Sequence, residues 1–354
     1  MVASEMKVDK SASGATCLPY KIASRCDYHF ILKSTALVEL PSQEAVADAL
    51  SRHWGIASEA VSPWKSPRIF RIEGCGIARI GFPRTGLTSV QLVELVNELH
   101  AAGCPVPAIV PTSDGDLSIA LGQKTLSVEQ ELPGDGCSSA DLDVLFEVGR
   151  TLGKLYSVMY EFEHMPGQIL PLGDWIDLTL RKAETWAAER HHDEYVRAFR
   201  SQIRNDHRNF RVRFGLVHGD LRAPNVLKHG QSLGLIDFNC KYDPQLSDIG
   251  KIRNKWLMGS DKRHGRPLTP LEIADVLKGY HQTHPLTKNE VDSFPVIWAV
   301  NQAWRLAQDL RILEKHDVGA VTNWPISEQM RDLPQAIEMG EEILQIASID
   351  PIEF

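Results

Sequence analysis

The chain has 354 residues, 43% hydrophobic and 24% charged, with a formal net charge of −8. That length and balance can bury two substantial cores, and an acidic chain without a basic cluster argues against a nucleic-acid partner. No apolar run approaches the ~20 residues of a membrane span, and none of signal-peptide length stands near the N-terminus. The six cysteines (17, 26, 75, 104, 137 and 240) hold no C-x-x-C pair, so a reduced, cytoplasmic, metal-free reading of the thiols follows.

Residues 1–20 are small and polar and read as a frayed tail. Tyr28–Leu32 and Thr35–Leu40 read as two short strands. Pro41-Ser-Gln-Glu44 opens a helix through Arg52, with Val46, Leu50 and Trp54 on one face. Arg68–Glu73 and Ile77–Ile80 are the arms of a strand pair that turns at Gly74-Cys-Gly76. Ser89–Ala102 repeats its apolar positions at helical spacing. Two more strands are expected over Asp116–Ala120 and Thr125–Glu131. Beyond Gly134 the period is helical for most of the chain. Asp141–Tyr160 is amphipathic, with Leu145, Val148, Leu152 and Leu155 on one face. Trp175–Asn205 holds two charged helices, and Pro270–His281, Lys288–Glu314 and Pro334–Ala347 form a closing bundle, the second helix capped by Thr287.

One stretch interrupts the helices. Phe214-Gly-Leu-Val-His218-Gly-Asp220-Leu-Arg222-Ala-Pro-Asn225-Val-Leu227 is followed by Leu233-Gly-Leu-Ile-Asp237-Phe238. Phe214–Val217 and Leu233–Ile236 are short apolar strands, and Lys228-His-Gly230-Gln-Ser is a hairpin turn. The hairpin brings Asn225 and Asp237 side by side, with Asp220 on the loop just before. An amide and a carboxylate oxygen suit a hard cation such as Mg²⁺ on nucleotide phosphates. A carboxylate held off the metal can take the proton of an attacking hydroxyl.

His218-Gly-Asp220, with Asn225 five residues after the aspartate and then Ile236-Asp-Phe238, resembles the aminoglycoside phosphotransferase and choline kinase superfamily of small-molecule kinases. Within it, the homoserine-kinase-like branch is nearest. Glycine in second place separates the motif from protein kinases, whose A-P-E run is also missing. The resemblance implies an α+β, bilobal, protein-kinase-like fold. An extension (1–40) precedes an N-terminal antiparallel-sheet lobe (41–132) and a larger, mostly helical C-terminal lobe (133–354). It further implies ATP and Mg²⁺ as cofactors and a small-molecule hydroxyl acceptor as partner, without nucleic acid or membrane.

The same resemblance assigns roles. Asp220 is the base or hydroxyl-orienting group, and Arg222 touches the transferred phosphate or the substrate. Asn225 and Asp237 hold the metal. Arg79 stands where the strand lysine would meet the phosphates, and Glu94, ahead of Glu98, is its expected partner. Glu129-Gln-Glu131-Leu-Pro-Gly134 is the hinge, whose backbone meets the adenine, and Gly103-Cys-Pro-Val-Pro107 resembles a turn of the family. His218 packs and hydrogen-bonds the loop. Asp248 braces it from behind, with a plain helix N-cap as the competing role. The chain departs from the pattern twice: Trp64-Lys-Ser-Pro-Arg68 replaces a glycine-rich turn, and arginine replaces lysine. Those departures keep a second reading open, a catalytically inactive nucleotide-binding module.

Overall fold

Ser42 accepts a hydrogen bond from the Ala45 N–H and starts α1 (Gln43–Trp54), which ends at Gly55 in a left-handed conformation. The structure is a computed structural model that describes residues 40–64, 66–81, 87–189, 191–256, 266–313 and 326–353. The expected tail and the two expected strands before it lie outside the described residues.

After α1 come β1 (Val61–Trp64), β2 (Ser66–Ile72), β3 (Gly76–Gly81), α2 (Ser89–Ala101), β4 (Ile109–Val110), β5 (Ile119–Leu121) and β6 (Lys124–Glu129). The strands form one sheet in the order β1-β2-β3-β6-β4, with β5 also on β6. Every pairing in it is antiparallel. β1 escaped the sequence reading because Ser62-Pro63 breaks its apolar pattern; proline is tolerated there because β1 is an edge strand. Val46 and Leu50 of α1 share a core with Phe70, Ile72, Ala78, Ile80, Leu126 and Val128 of the sheet. Helix α2, capped by a Thr88–Gln91 box, buries Val93, Leu95, Val96 and Leu99 in a different, larger core.

That larger core belongs to the helices that follow. β7 (Asp135–Gly136) leads to α3 (Leu145–Tyr160), then β8 (Gln168–Pro171), α4 (Gly173–Ala188), α5 (Asp193–Ser201), α6 (Asn205–Asn209) and β9 (Arg211–Val217). β10 (Val226–His229), β11 (Ser232–Leu235), β12 (Lys241–Pro244) and α7 (Ser247–Lys255) follow, and α8 (Pro270–Thr283), α9 (Lys288–Leu313), α10 (Ile326–Asp332) and α11 (Ala336–Ala347) close the chain. α3 starts four residues later than its period suggests. Asp141 accepts from the N–H and hydroxyl of Ser138, a local turn that competes with the helix. α3 and α8 cross in backbone contact: a Cβ at Gly149 or Gly279 would stand 2.0 Å from a carbonyl oxygen of the other helix. Two small antiparallel sheets, β11-β10-β7 and β12-β9-β8, interrupt the helices. The architecture is α+β, with sheet elements toward the N-terminus and a larger helical region after them. No described helix is long and apolar enough to cross a membrane, and the described cysteines 75, 104, 137 and 240 are free thiols.

Candidate active site

β9 ends at Val217 and β10 starts at Val226, so residues 218–225 form a loop between a buried strand and one that is buried only at its first residue. β10 and β11 pair as a hairpin with Val226 opposite Leu235, and the Ile236 N–H donates to Asn225 O at 3.0 Å. Asn225 and Asp237 therefore stand together at the open end of the hairpin, as the sequence spacing requires. Asp237 takes φ +62°, a left-handed conformation that costs a non-glycine residue on the order of 1 kcal/mol. Gly219 has φ +76°, and a Cβ there would lie 2.1 Å from Asn239 O. The glycine of the His-Gly-Asp motif is thus a steric requirement of the loop.

The back of the loop is a buried polar network. Asp248 Oδ2 accepts from the Gly219 N–H at 2.9 Å and from the Tyr156 hydroxyl at 2.5 Å. The Tyr156 oxygen in turn accepts from the His218 N–H at 3.1 Å. α7 begins without a side-chain cap, so Asp248 braces the loop and is not the helix cap. Burial works to raise its pKa, but the ammonium groups of Lys251 and Lys255, with His218 and Tyr156, outweigh burial and hold the carboxyl below its ordinary value. Burial keeps the His218 imidazole below its ordinary pKa, against the pull of Asp248 and Asp220. Its Nε2 donates to Ile236 O at 3.0 Å and its Nδ1 accepts from the Asp220 N–H at 3.3 Å, which fits one neutral tautomer. Phe238 packs on the ring, with centroids 4.6 Å apart. His218 is a loop strut.

The front of the loop is charged. Asp220 Oδ2 lies 3.2 Å from Asn225 Nδ2 and 3.2 Å from Arg222 Nε. The arginine pair is ionic only, because that N–H is not aligned for a hydrogen bond. Asp220 Oδ1 meets Lys255 Nζ at 3.2 Å. Asp237 stands between two guanidinium groups, Arg79 Nη1 at 3.5 Å and Arg222 Nη2 at 3.7 Å. Arg79 thus reaches across from β3 to the hairpin, bringing the strand cation and the candidate metal ligand together.

The partner of Arg79 differs from the expectation. Its Nε donates to Glu129 Oε2 at 3.0 Å, and the Glu129 charge, against burial, holds the guanidinium above its ordinary pKa. Glu94 instead pairs with His164 at 3.1 Å. The cause is packing: α2 buries its apolar face in the helical core, which turns Glu94 toward the segment after α3. Register supplies the substitute. Arg79 is opposite Ser127 and Ile77 is opposite Glu129, so Arg79 and Glu129 are diagonal neighbours on one face. Glu131 pairs with Arg71 at 3.2 Å on the surface. The hinge segment also meets a neighbour through backbone: the Gln130 N–H donates to Ala108 O at 2.8 Å.

Sequence reasoning missed two residues of this cluster. Tyr156 occupies an apolar-face position of α3 and gives no polar signal. Lys255 was findable, since it follows Asp248 by seven residues on one helix, a spacing that returns to the same face.

The donor set fits the group that the motif implies. Both hydrogens of the Asn225 amide go to Asp220, one to its carbonyl at 2.9 Å and one to Oδ2 at 3.2 Å. That leaves Oδ1 as the atom able to face a cation. The Asp237 carboxylate, 33% exposed, is already flanked by positive charge. One amide and one carboxylate oxygen, with arginines at hand for phosphate, suit Mg²⁺ carried by a nucleotide.

Residues 66–288 match the model of the phosphotransferase enzyme family. A homoserine kinase of Gluconobacter oxydans (strain 621H) is 24% identical over 204 residues, 55% of this chain. The chain spans 61% of the length of that relative. Among solved structures, amicoumacin kinase hAmiN, in complex with AMP-PNP, Ca²⁺ and Ami, superposes with a TM-score of 0.55 at 16% identity, covering 88% of this chain and 96% of that one. A choline kinase of Cryptosporidium parvum Iowa II superposes with a TM-score of 0.52 at 10% identity, covering 88% and 98%. At those identities the structures share the fold. The chain belongs to the phosphotransferase enzyme family.

Proposed function

We propose that the protein is an ATP-dependent small-molecule kinase. It moves the γ-phosphate to a hydroxyl of an amino alcohol, an amino acid such as homoserine, or an aminoglycoside or peptide antibiotic, and stands nearest the homoserine-kinase-like branch. One observation carries the reading: Asp220, Asn225 and Asp237 gather on one loop and hairpin, with Arg79 and Arg222 on the same two carboxylates. When bound, magnesium ATP supplies the phosphoryl group and part of the charge neutralisation. Asn225 Oδ1 and the Asp237 carboxylate are its metal ligands, and the hinge backbone near Glu129 and Glu131 is its adenine contact. Asp220 orients the acceptor hydroxyl and receives its proton late. Arg222 and Arg79 neutralise the charge that develops on the phosphoryl oxygens. Glu129 aims Arg79.

The test is an ATP-consumption screen with magnesium against amino alcohols, amino acids, sugars and aminoglycosides, with product masses measured. One acceptor class that gains a phosphoryl group is expected. Arginine in the lysine place favours the second reading, a nucleotide-binding module without turnover. That reading predicts magnesium-dependent ATP binding and no phosphorylated acceptor.

A further inference from the structure

Lys255 sits in the last turn of α7 and is 12% exposed. It follows Asp248 by seven residues, close to two helical turns, so both side chains leave one face of α7. They meet a single loop residue from its two ends. Asp248 accepts the Gly219 N–H at 2.9 Å, and Lys255 Nζ donates to the Gly219 carbonyl at 2.8 Å. The same ammonium reaches Asp220 Oδ1 at 3.2 Å. Burial pushes the ammonium down to about 8, against the pull of Asp220 and Asp248, so it is mostly charged at neutral pH.

The other contacts of the Asp220 carboxylate, Asn225 and Arg222, both fall on Oδ2. Each has a duty elsewhere, toward metal and phosphate. Oδ1 is anchored by Lys255, which also supplies a donor to the carbonyl of the preceding residue. A carboxylate that must point at an incoming hydroxyl loses rate, more than affinity, when its orientation is freed. From this geometry we propose that Lys255 is a positioning residue for Asp220: it clamps the Gly219 peptide and one carboxylate oxygen so that the base faces the acceptor. The proposal rests on the kinase reading above for its catalytic part, while the clamp itself is a property of the unliganded fold.

The test compares wild type, Lys255→Met, Lys255→Arg, Asp220→Asn and the double variant Lys255→Met with Asp220→Asn. Three quantities are read: kcat and KM for an acceptor, the Kd of magnesium ATP by calorimetry, and hydrogen exchange of the peptide covering 215–223 without ligand. Lys255→Met is expected to lower kcat about 10²-fold, with KM and Kd within about twofold. It raises exchange in the 218–221 segment about tenfold. On the Asp220→Asn background it lowers the residual rate by less than about threefold, because the clamp acts through Asp220. Lys255→Arg keeps the exchange of wild type and stays within about tenfold of its rate. Should Lys255→Met not fold, Lys255→Gln takes its place with the same expectations.

A neutral variant within about threefold of the wild-type rate overturns the proposal, as does an undiminished further loss on the Asp220→Asn background. If wild type phosphorylates no acceptor, exchange decides alone. Unchanged exchange then overturns the clamp, and raised exchange keeps it while the kinase reading falls.

Discussion

The two carboxylates at the centre of the site are held in opposite ways. Asp220 sits on a loop that is pinned from behind by Asp248, Tyr156 and His218, all fully buried, through bonds of 2.5–3.1 Å. Asp237 is a third exposed and meets its cations, Arg79 and Arg222, at 3.5 and 3.7 Å. Buried polar networks are costly to break, whereas partly exposed ion pairs are worth little and exchange readily. The Asp220 loop is therefore set by folding. The Asp237 side is more loosely tied, and on the proposed function its guanidinium contacts would give way to a metal-bound phosphate chain.

Five variants break or sharpen that contrast. The largest effect is expected from Asp220→Ala, a fall of about 10³-fold in kcat measured at saturating substrates, the scale of a lost general base. Next is Asp248→Ala, which strips Gly219 and Tyr156 of a charged acceptor. Urea unfolding should register a loss of about 3 kcal/mol. Asp237→Asn in the same assay should change stability by no more than about 0.5 kcal/mol, because a partly exposed charge contributes little and asparagine accepts the left-handed backbone; a loss as large as that of Asp248→Ala would erase the contrast. The smallest effect separates the two candidate partners of Arg79. Glu129→Gln should weaken magnesium ATP binding about tenfold by calorimetry, and Glu94→Gln should stay within about twofold. Equal weakening by both would return Glu94 to the role first expected of it.

The parts of this site that are local in sequence were legible. His218, Gly219, Asp220, Asn225 and Asp237 fall within one loop and hairpin, where spacing and turn chemistry fix who stands beside whom. The alternation of sheet and helix likewise followed from hydrophobic period. What was not legible depends on packing between distant segments. Glu94 has the right helix and spacing for Arg79, but the apolar face of α2 joins the helical core and carries Glu94 to His164. Glu129 replaces it through strand register, which only pairing reveals. Tyr156 reaches the loop from α3, where its position reads as plain core. β1 and the late start of α3 were lost to a proline and to a local Ser138–Asp141 turn, each a short-range effect that overrides a periodic pattern.

Calorimetric titration of ATP into wild type, Asp220→Ala and Asp237→Ala, each with and without magnesium, tests the division of labour most directly. Wild type and Asp220→Ala should bind ATP more tightly with magnesium and to the same degree, while Asp237→Ala should lose the magnesium enhancement. Equal binding by wild type with and without the metal, or loss of the enhancement in Asp220→Ala but not in Asp237→Ala, would contradict the account.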